Sequence, residues 1–298
     1  MTLDKIVSKN ALRYPSKLAV SMGETSYTWL TFEDRVTKLA HAFQSEGLIA
    51  GDRVSVLADN CIEYLEIYFA GARAGVIVVP VNFRLTNDDL SSILNHACPS
   101  LLIFSNNYAE SVREIKDKVL SIKYFWQIGK SDDYEFERYE EKFSINFIEP
   151  LEYKVDDDSC FAIFYTSGTT GLPKGAMVSH ANLEMNGYNQ IIADVASSKD
   201  INLISTPLYH MGAVFMAVTY MMLGCSQYIL HKFSADEWLT SMAMSKATVA
   251  LLIPTMINAI VNNKNLNEIA LSDLRLIFYG GGPMPPTVLR KAIDLLKC

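Results

Sequence analysis

Apolar residues recur at helical spacing at the start of the chain. Leu3, Ile6, Val7, Ala11 and Leu12 share one face of a helix over 3–14, and Pro15 stops it. Lys17–Met22 and Ser26–Trp29 read as two strands around Gly23-Glu24, a hairpin signal. Thr31 is expected to cap the next helix, with Asp34 three residues on. Phe32, Val36, Leu39, Ala40 and Phe43 form its inward stripe, and Gly47 ends it. From Arg53 the pattern changes to short apolar runs at 53–58, 76–81, 101–104 and 123–128. Helical stretches separate them, at about 61–74, from Thr86 to near His96, and on to about Val119.

The same alternation returns after residue 160. Phe161–Tyr165 and Ala176–Val178 read as strands. Ser179 is expected to cap a helix that turns Leu183, Tyr188, Ile191, Ile192 and Val195 inward. Strands at 201–205, 226–230, 248–253 and 274–278 then alternate with helices at Met211–Leu223, after Ser234, after Pro254 and after Pro286. Strands alternating with helices predict parallel βα units and an α/β fold of two layered subdomains. Residues 130–159 are acidic and poor in aliphatics, with Asp132-Asp133 and Asp156-Asp157-Asp158. They read as a solvated linker and as the subdomain boundary.

Composition narrows the class. Half of the 298 residues are hydrophobic and 20% are charged, as in a globular protein. A net charge of −7 disfavours a nucleic-acid binder. The five cysteines lack CxxC spacing, which favours reduced thiols in the cytoplasm over a disulfide framework or a zinc site. The longest apolar window, Met211–Leu223, is too short to cross a bilayer, so no transmembrane segment is expected; contact at a membrane surface stays compatible with it. The sequence sets no oligomeric state.

The richest chemistry lies in Tyr165-Thr166-Ser167-Gly168-Thr169-Thr170-Gly171-Leu172-Pro173-Lys174-Gly175. Glycine brings backbone amides close to a ligand, successive amides form an anion nest, and Lys174 adds a charge suited to phosphate. The string lies between two strands and is not a Walker A loop, which opens a helix. By residue type alone it is either an unliganded hairpin turn or a phosphate cradle. Two further clusters end predicted strands: Thr206-Pro207-Leu208-Tyr209-His210-Met211-Gly212 and Tyr279-Gly280-Gly281-Gly282-Pro283. Ligand crevices of α/β sheets lie at such ends. A lone histidine is also a common structural residue, and a glycine run is also a common tight turn.

The 165–175 string resembles the phosphate loop of the adenylate-forming, acyl-activating superfamily, which includes acyl-CoA synthetases and the adenylation domains of peptide synthetases. Gly51-Asp52-Arg53-Val54 and Val79–Leu85 are similar to that family's N-terminal half, nearest its long- and medium-chain fatty-acyl branch, and the similarity runs over all 298 residues. The resemblance implies the N-terminal, AMP-binding domain of that fold. It also implies activation of a carboxylic, fatty acid by ATP to an acyl-adenylate, with Mg²⁺, then transfer to coenzyme A. Loading of a carrier protein is the alternative acceptor.

By the same resemblance Thr166, Ser167, Gly168, Thr169, Thr170, Gly171 and Lys174 hold the ATP phosphates, and Thr169 is a Mg²⁺ ligand. Gly280, Gly281, Gly282 and Pro283 form the adenine shelf. His210 faces the reacting carbonyl, and Tyr209, Gly212, Val214 and Tyr279 border the acyl pocket. His41, His96 and His180 are expected to be structural, and His231 has no assigned role. The family's Tyr-Gly-x-Thr-Glu segment, its ribose-binding aspartate and its small C-terminal lid domain with the catalytic lysine are not found. The 298 residues are therefore expected to be an incomplete domain, inactive by itself or a nucleotide-binding module only.

Overall fold

A computed structural model describes residues 2–130, 135–144, 155–166 and 173–297. In chain order, helix α1 (Asp4–Arg13) precedes the hairpin β1 (Leu18–Met22) and β2 (Thr25–Thr28), then α2 (Trp29–Ser45). Next come β3 (Arg53–Leu57), α3 (Ile62–Ala74), β4 (Ile77–Pro80), α4 (Asn87–Ala97), β5 (Leu101–Ser105), α5 (Ala109–Ile115), β6 (Tyr124–Ile128) and β7 (Glu137–Arg138). β8 (Cys160–Thr166), β9 (Lys174–Ser179) and α6 (His180–Ala193) follow. The last third alternates β10 (Ile201–Ile204), α7 (Met211–Met222), β11 (Ser226–Ile229), α8 (Ala235–Ser245), β12 (Val249–Leu252), α9 (Pro254–Val261), β13 (Leu276–Tyr279) and α10 (Pro286–Leu296).

Two sheets organise the described residues. One has the order β7-β6-β5-β3-β4-β8-β9, the other β13-β12-β10-β11-β1-β2. Every neighbouring pair is parallel except β8/β9 and β1/β2. The two-layered, parallel-rich α/β reading therefore stands. Helix α3 packs against β4 and β8 of one sheet and β1 of the other. That position explains its composition: Tyr64, Leu65, Ile67, Tyr68, Phe69 and Ala70 are all buried, and only a narrow stripe of Glu63, Glu66 and Arg73 is polar, with Glu66 and Arg73 in ion pairs to α2. No helix among the described residues is long and apolar enough to cross a membrane.

Four local expectations are corrected. Thr28, not Thr31, caps α2: its side chain accepts the Thr31 N–H at 3.2 Å. Leu12 is 85% exposed, and the inward face of α1 carries the buried Asn10 instead, whose Nδ2 donates to the Met221 carbonyl at 2.6 Å. On α6 only Leu183 of the expected stripe is buried; Tyr188, Ile192 and Val195 are exposed. The packed face is His180, Leu183, Glu184 and Gly187, because α6 approaches α7 so closely that a Cβ on Gly187 would meet Met222 Sδ at 2.5 Å. Finally, residues 135–144 are not a solvated linker. Phe136 and Tyr139 are buried, β7 pairs with β6, and Lys142 bonds Glu46 at 2.6 Å. Acidic composition hid these two aromatic anchors.

Candidate active site

The parallel strands of both sheets end toward a common cleft of about 640 Å³. Asp59 and Asn60 follow β3, Phe83 and Arg84 follow β4, and Tyr108 follows β5. From the other sheet, Ser205 and Pro207 follow β10, His231 and Lys232 follow β11, and Ile253 and Thr255 follow or begin after β12. The volume is that of a small-molecule site, and a crevice at the carboxyl ends of parallel strands is where such folds bind ligands.

None of the described sequence-predicted residues lines this cleft. Tyr209 is buried with its ring edge-on to Phe83, centroids 5.2 Å apart. His210 precedes the first turn of α7 at the exposed rim, its ring 4.3 Å from that of Tyr209. Its pKa lies below the ordinary imidazole value, first because its surroundings exclude water and second because the Arg84 guanidinium repels the proton. A neutral ring can donate one hydrogen bond and accept another. Val214 is buried in the core, and Gly212 lies against Leu251. Tyr279 is half exposed at the end of β13, on the far side of Leu252, its register partner.

The glycine shelf is open. A Cβ built on Gly280 or Gly282 meets nothing within 4 Å, and Gly281 has φ +78°. A Cβ on Gly281 would touch Ile253, a cleft residue, at 3.3 Å, so shelf and cleft adjoin. Pro283 continues that turn as ordinary coil. On the other flank, β8 and β9 form the expected antiparallel hairpin, whose last pair is Thr166↔Lys174. Ser167, Gly168, Thr169, Thr170 and Gly171 lie outside the described residues.

Sequence reasoning missed the cleft's charged residues. Arg84 stands in the family-like run 79–85, and His231 and Lys232 end a predicted strand, so position after a strand was the available signal. His231 Nδ1 donates to the Asn60 carbonyl at 3.1 Å, which leaves Nε2 as an acceptor when the ring is neutral. Tyr108 is held protonated by burial and by the Asp59 carboxylate it bonds. No group of three or more acidic, histidine or cysteine side chains among the described residues could hold a metal ion.

The crevice is shared by two open α/β sheets, and the glycine turn at 280–282 adjoins it. The AMP-binding enzyme family matches residues 7–298, and the chain belongs to that family. It is 31% identical over 287 residues to a feruloyl-CoA synthase of an Amycolatopsis species, covering 96% of this chain and 55% of the relative. A fatty acid–[acyl-carrier-protein] ligase of Streptomyces coeruleorubidus, ScoC, is 27% identical over 308 residues, with 100% and 56% covered. The chain thus spans about half the length of the curated relatives it matches. Among solved structures, a long-chain-fatty-acid-CoA ligase of Archaeoglobus fulgidus superposes with a TM-score of 0.91 at 22% identity, over 100% of this chain and 61% of that one. This confirms the adenylate-forming fold.

Proposed function

We propose that the protein serves the ATP-dependent activation of a carboxylic acid: adenylation with release of pyrophosphate, then transfer of the acyl group to a thiol. The observation that carries the reading is the open glycine shelf set against the cleft residue Ile253, with His210 beside Tyr209, whose ring meets the cleft's Phe83 edge-on. The shelf takes the adenine at Gly280, Gly281, Gly282 and Pro283. Thr166 and Lys174, with Ser167, Gly168, Thr169, Thr170 and Gly171 between them, take the phosphates of the Mg²⁺-bound nucleotide. Positioning and charge stabilisation do the chemistry, because a phosphorus attacked by a carboxylate needs no protein nucleophile. His210 donates a hydrogen bond to the acid's carbonyl oxygen and orients it.

The acid is read as fatty, with its tail toward Tyr209, Gly212, Val214 and Tyr279. An aryl acid is the second reading, favoured by the feruloyl-CoA synthase relative. Coenzyme A is the acceptor proposed; the carrier-protein ligase supports acyl-carrier protein as the alternative. Free thiols at Cys61, Cys98, Cys160 and Cys225 support a reducing, cytoplasmic setting.

Calorimetry with ATP and AMP, followed by carboxylate-dependent exchange of labelled pyrophosphate into ATP, tests the reading. Fatty, hydroxycinnamic and short aliphatic acids make up the panel. Binding of ATP in the micromolar-to-millimolar range is expected; absence of any ATP or AMP binding sinks the proposal.

A further inference from the structure

His96 was expected to be merely structural. It projects from the last turn of α4, exposed, and its Nδ1 lies 2.6 Å from the Tyr165 hydroxyl. The two rings meet edge to face, centroids 5.7 Å apart at 88°. Tyr165 is the penultimate residue of β8 and pairs with Gly175. Its ring lies over that glycine: a Cβ on Gly175 would stand 3.2 Å from Tyr165 Cζ and 2.8 Å from Ile163 Cγ2. The next pair, Thr166↔Lys174, closes the ladder, with Thr166 Oγ1 donating to the Lys174 carbonyl at 3.5 Å.

The helix end that carries His96 is itself held. Arg53 Nε donates to the Ala97 carbonyl at 2.9 Å and Nη2 to the Cys98 carbonyl at 2.6 Å. Tyr165 also packs against the apolar cluster to which α4 contributes Leu90, Ile93 and Leu94. Burial raises the Tyr165 pKa, so the phenol keeps its proton and can donate to a neutral imidazole. A two-stranded ribbon reaching past its sheet is free to twist and bend at its neck. Here the neck has one side chain lying across it, fastened at its far end to a helix that does not belong to the ribbon.

We propose that His96 is a positioning residue for the nucleotide phosphates: by holding Tyr165 across Gly175 it fixes the direction in which Thr166 and Lys174 are presented. The inference rests on the proposed function for what those two residues bind. It does not rest on it for the tether itself.

The experiment therefore has two arms on the full chain. The first needs no ligand: the rate of tryptic cleavage after Lys174, followed by mass spectrometry under native conditions. His96→Leu and Tyr165→Phe should each raise it about three- to tenfold, the value of one hydrogen bond. The double variant should be no faster than either single one, because both remove the same contact. His96→Asn, which places an amide atom near the Nδ1 position, should restore most of the protection. The second arm is calorimetry: the same variants should weaken ATP by a similar factor and leave AMP unchanged. Unaltered cleavage in His96→Leu, or additive effects in the double variant, overturns the inference. If the wild-type chain binds neither nucleotide, the proposed function fails while the cleavage arm still decides the tether.

Discussion

The Asn60 carboxamide oxygen accepts the Leu208 amide N–H at 2.7 Å, from one sheet to the other. Its Nδ2 donates to the carbonyls of Thr206 at 3.1 Å and Leu230 at 3.2 Å. Asn60 follows β3, whereas all three partners follow strands of the second sheet, so one buried side chain joins the two sheets beneath the cleft. The Leu208 peptide is held from its other side by Tyr68, whose hydroxyl donates to its carbonyl at 2.9 Å. Asn60→Leu should destabilise the fold by roughly 2–4 kcal/mol, because it breaks a buried network and leaves an amide unsatisfied. Urea unfolding measures this. A change below about 0.5 kcal/mol, the usual size for a surface substitution, would show that the network contributes nothing.

Lys174→Ala should weaken ATP binding by about tenfold or more, as for loss of a hydrogen bond to a charged group. AMP binding should hardly change if the lysine serves the outer phosphates, as proposed. Calorimetric titrations with both nucleotides separate the cases, and equal losses would place the lysine elsewhere.

Much of this was legible before any coordinates. The two strands on either side of the glycine-rich loop, the strand-end placement of Tyr209 and His210, and the alternation of elements all follow from periodicity and glycine spacing; the strands run further than expected, to the pair Thr166 and Lys174. The inward face of α6 was not legible. Gly187 and Glu184 look like surface residues, and only the approach of Met222 turns them inward. The cleft itself was also hidden. Arg84, His231 and Lys232 come from different strands of different sheets, and their nearness exists only once both sheets pack on α3.

His180 offers a pH test. It is buried, and its Nδ1 accepts the Leu3 N–H at 3.1 Å, so the ring must be neutral at that atom. Burial lowers its pKa below 6.5, outweighing the nearby Asp4, Asp157 and Asp156. The unfolded chain then binds the proton more readily than the folded one. Stability from this residue is full above about pH 6.5 and is lost as the pH falls toward the folded value. Unfolding midpoints between pH 5 and 7.5 should decline toward acid in the wild type and decline less in His180→Phe. Parallel profiles would sink the assignment.

The fixed charge of Arg84 acts on the His210 imidazole across the rim. Arg84→Met removes the smaller of the two causes that depress the His210 pKa, so the value should rise toward 6.5 without reaching it. Imidazole C–H shifts followed by NMR against pH report this directly. An unchanged midpoint would mean the guanidinium points away from the ring in solution.

The pairing of β1 with β11, Val20 against Gln227, has a consequence for the protein's synthesis. A ribosome making about 5–20 residues per second needs on the order of 10–40 s to travel between those positions. Throughout that interval the β1–β2 hairpin has no parallel partner to complete its sheet. The seven-stranded sheet has a shorter wait, from Val78 of β4 to its partner Ala162 of β8. The β1–β2 hairpin should therefore stay open to pairing with other chains until β11 is made, and slowing translation between β9 and β11 should lengthen that exposure.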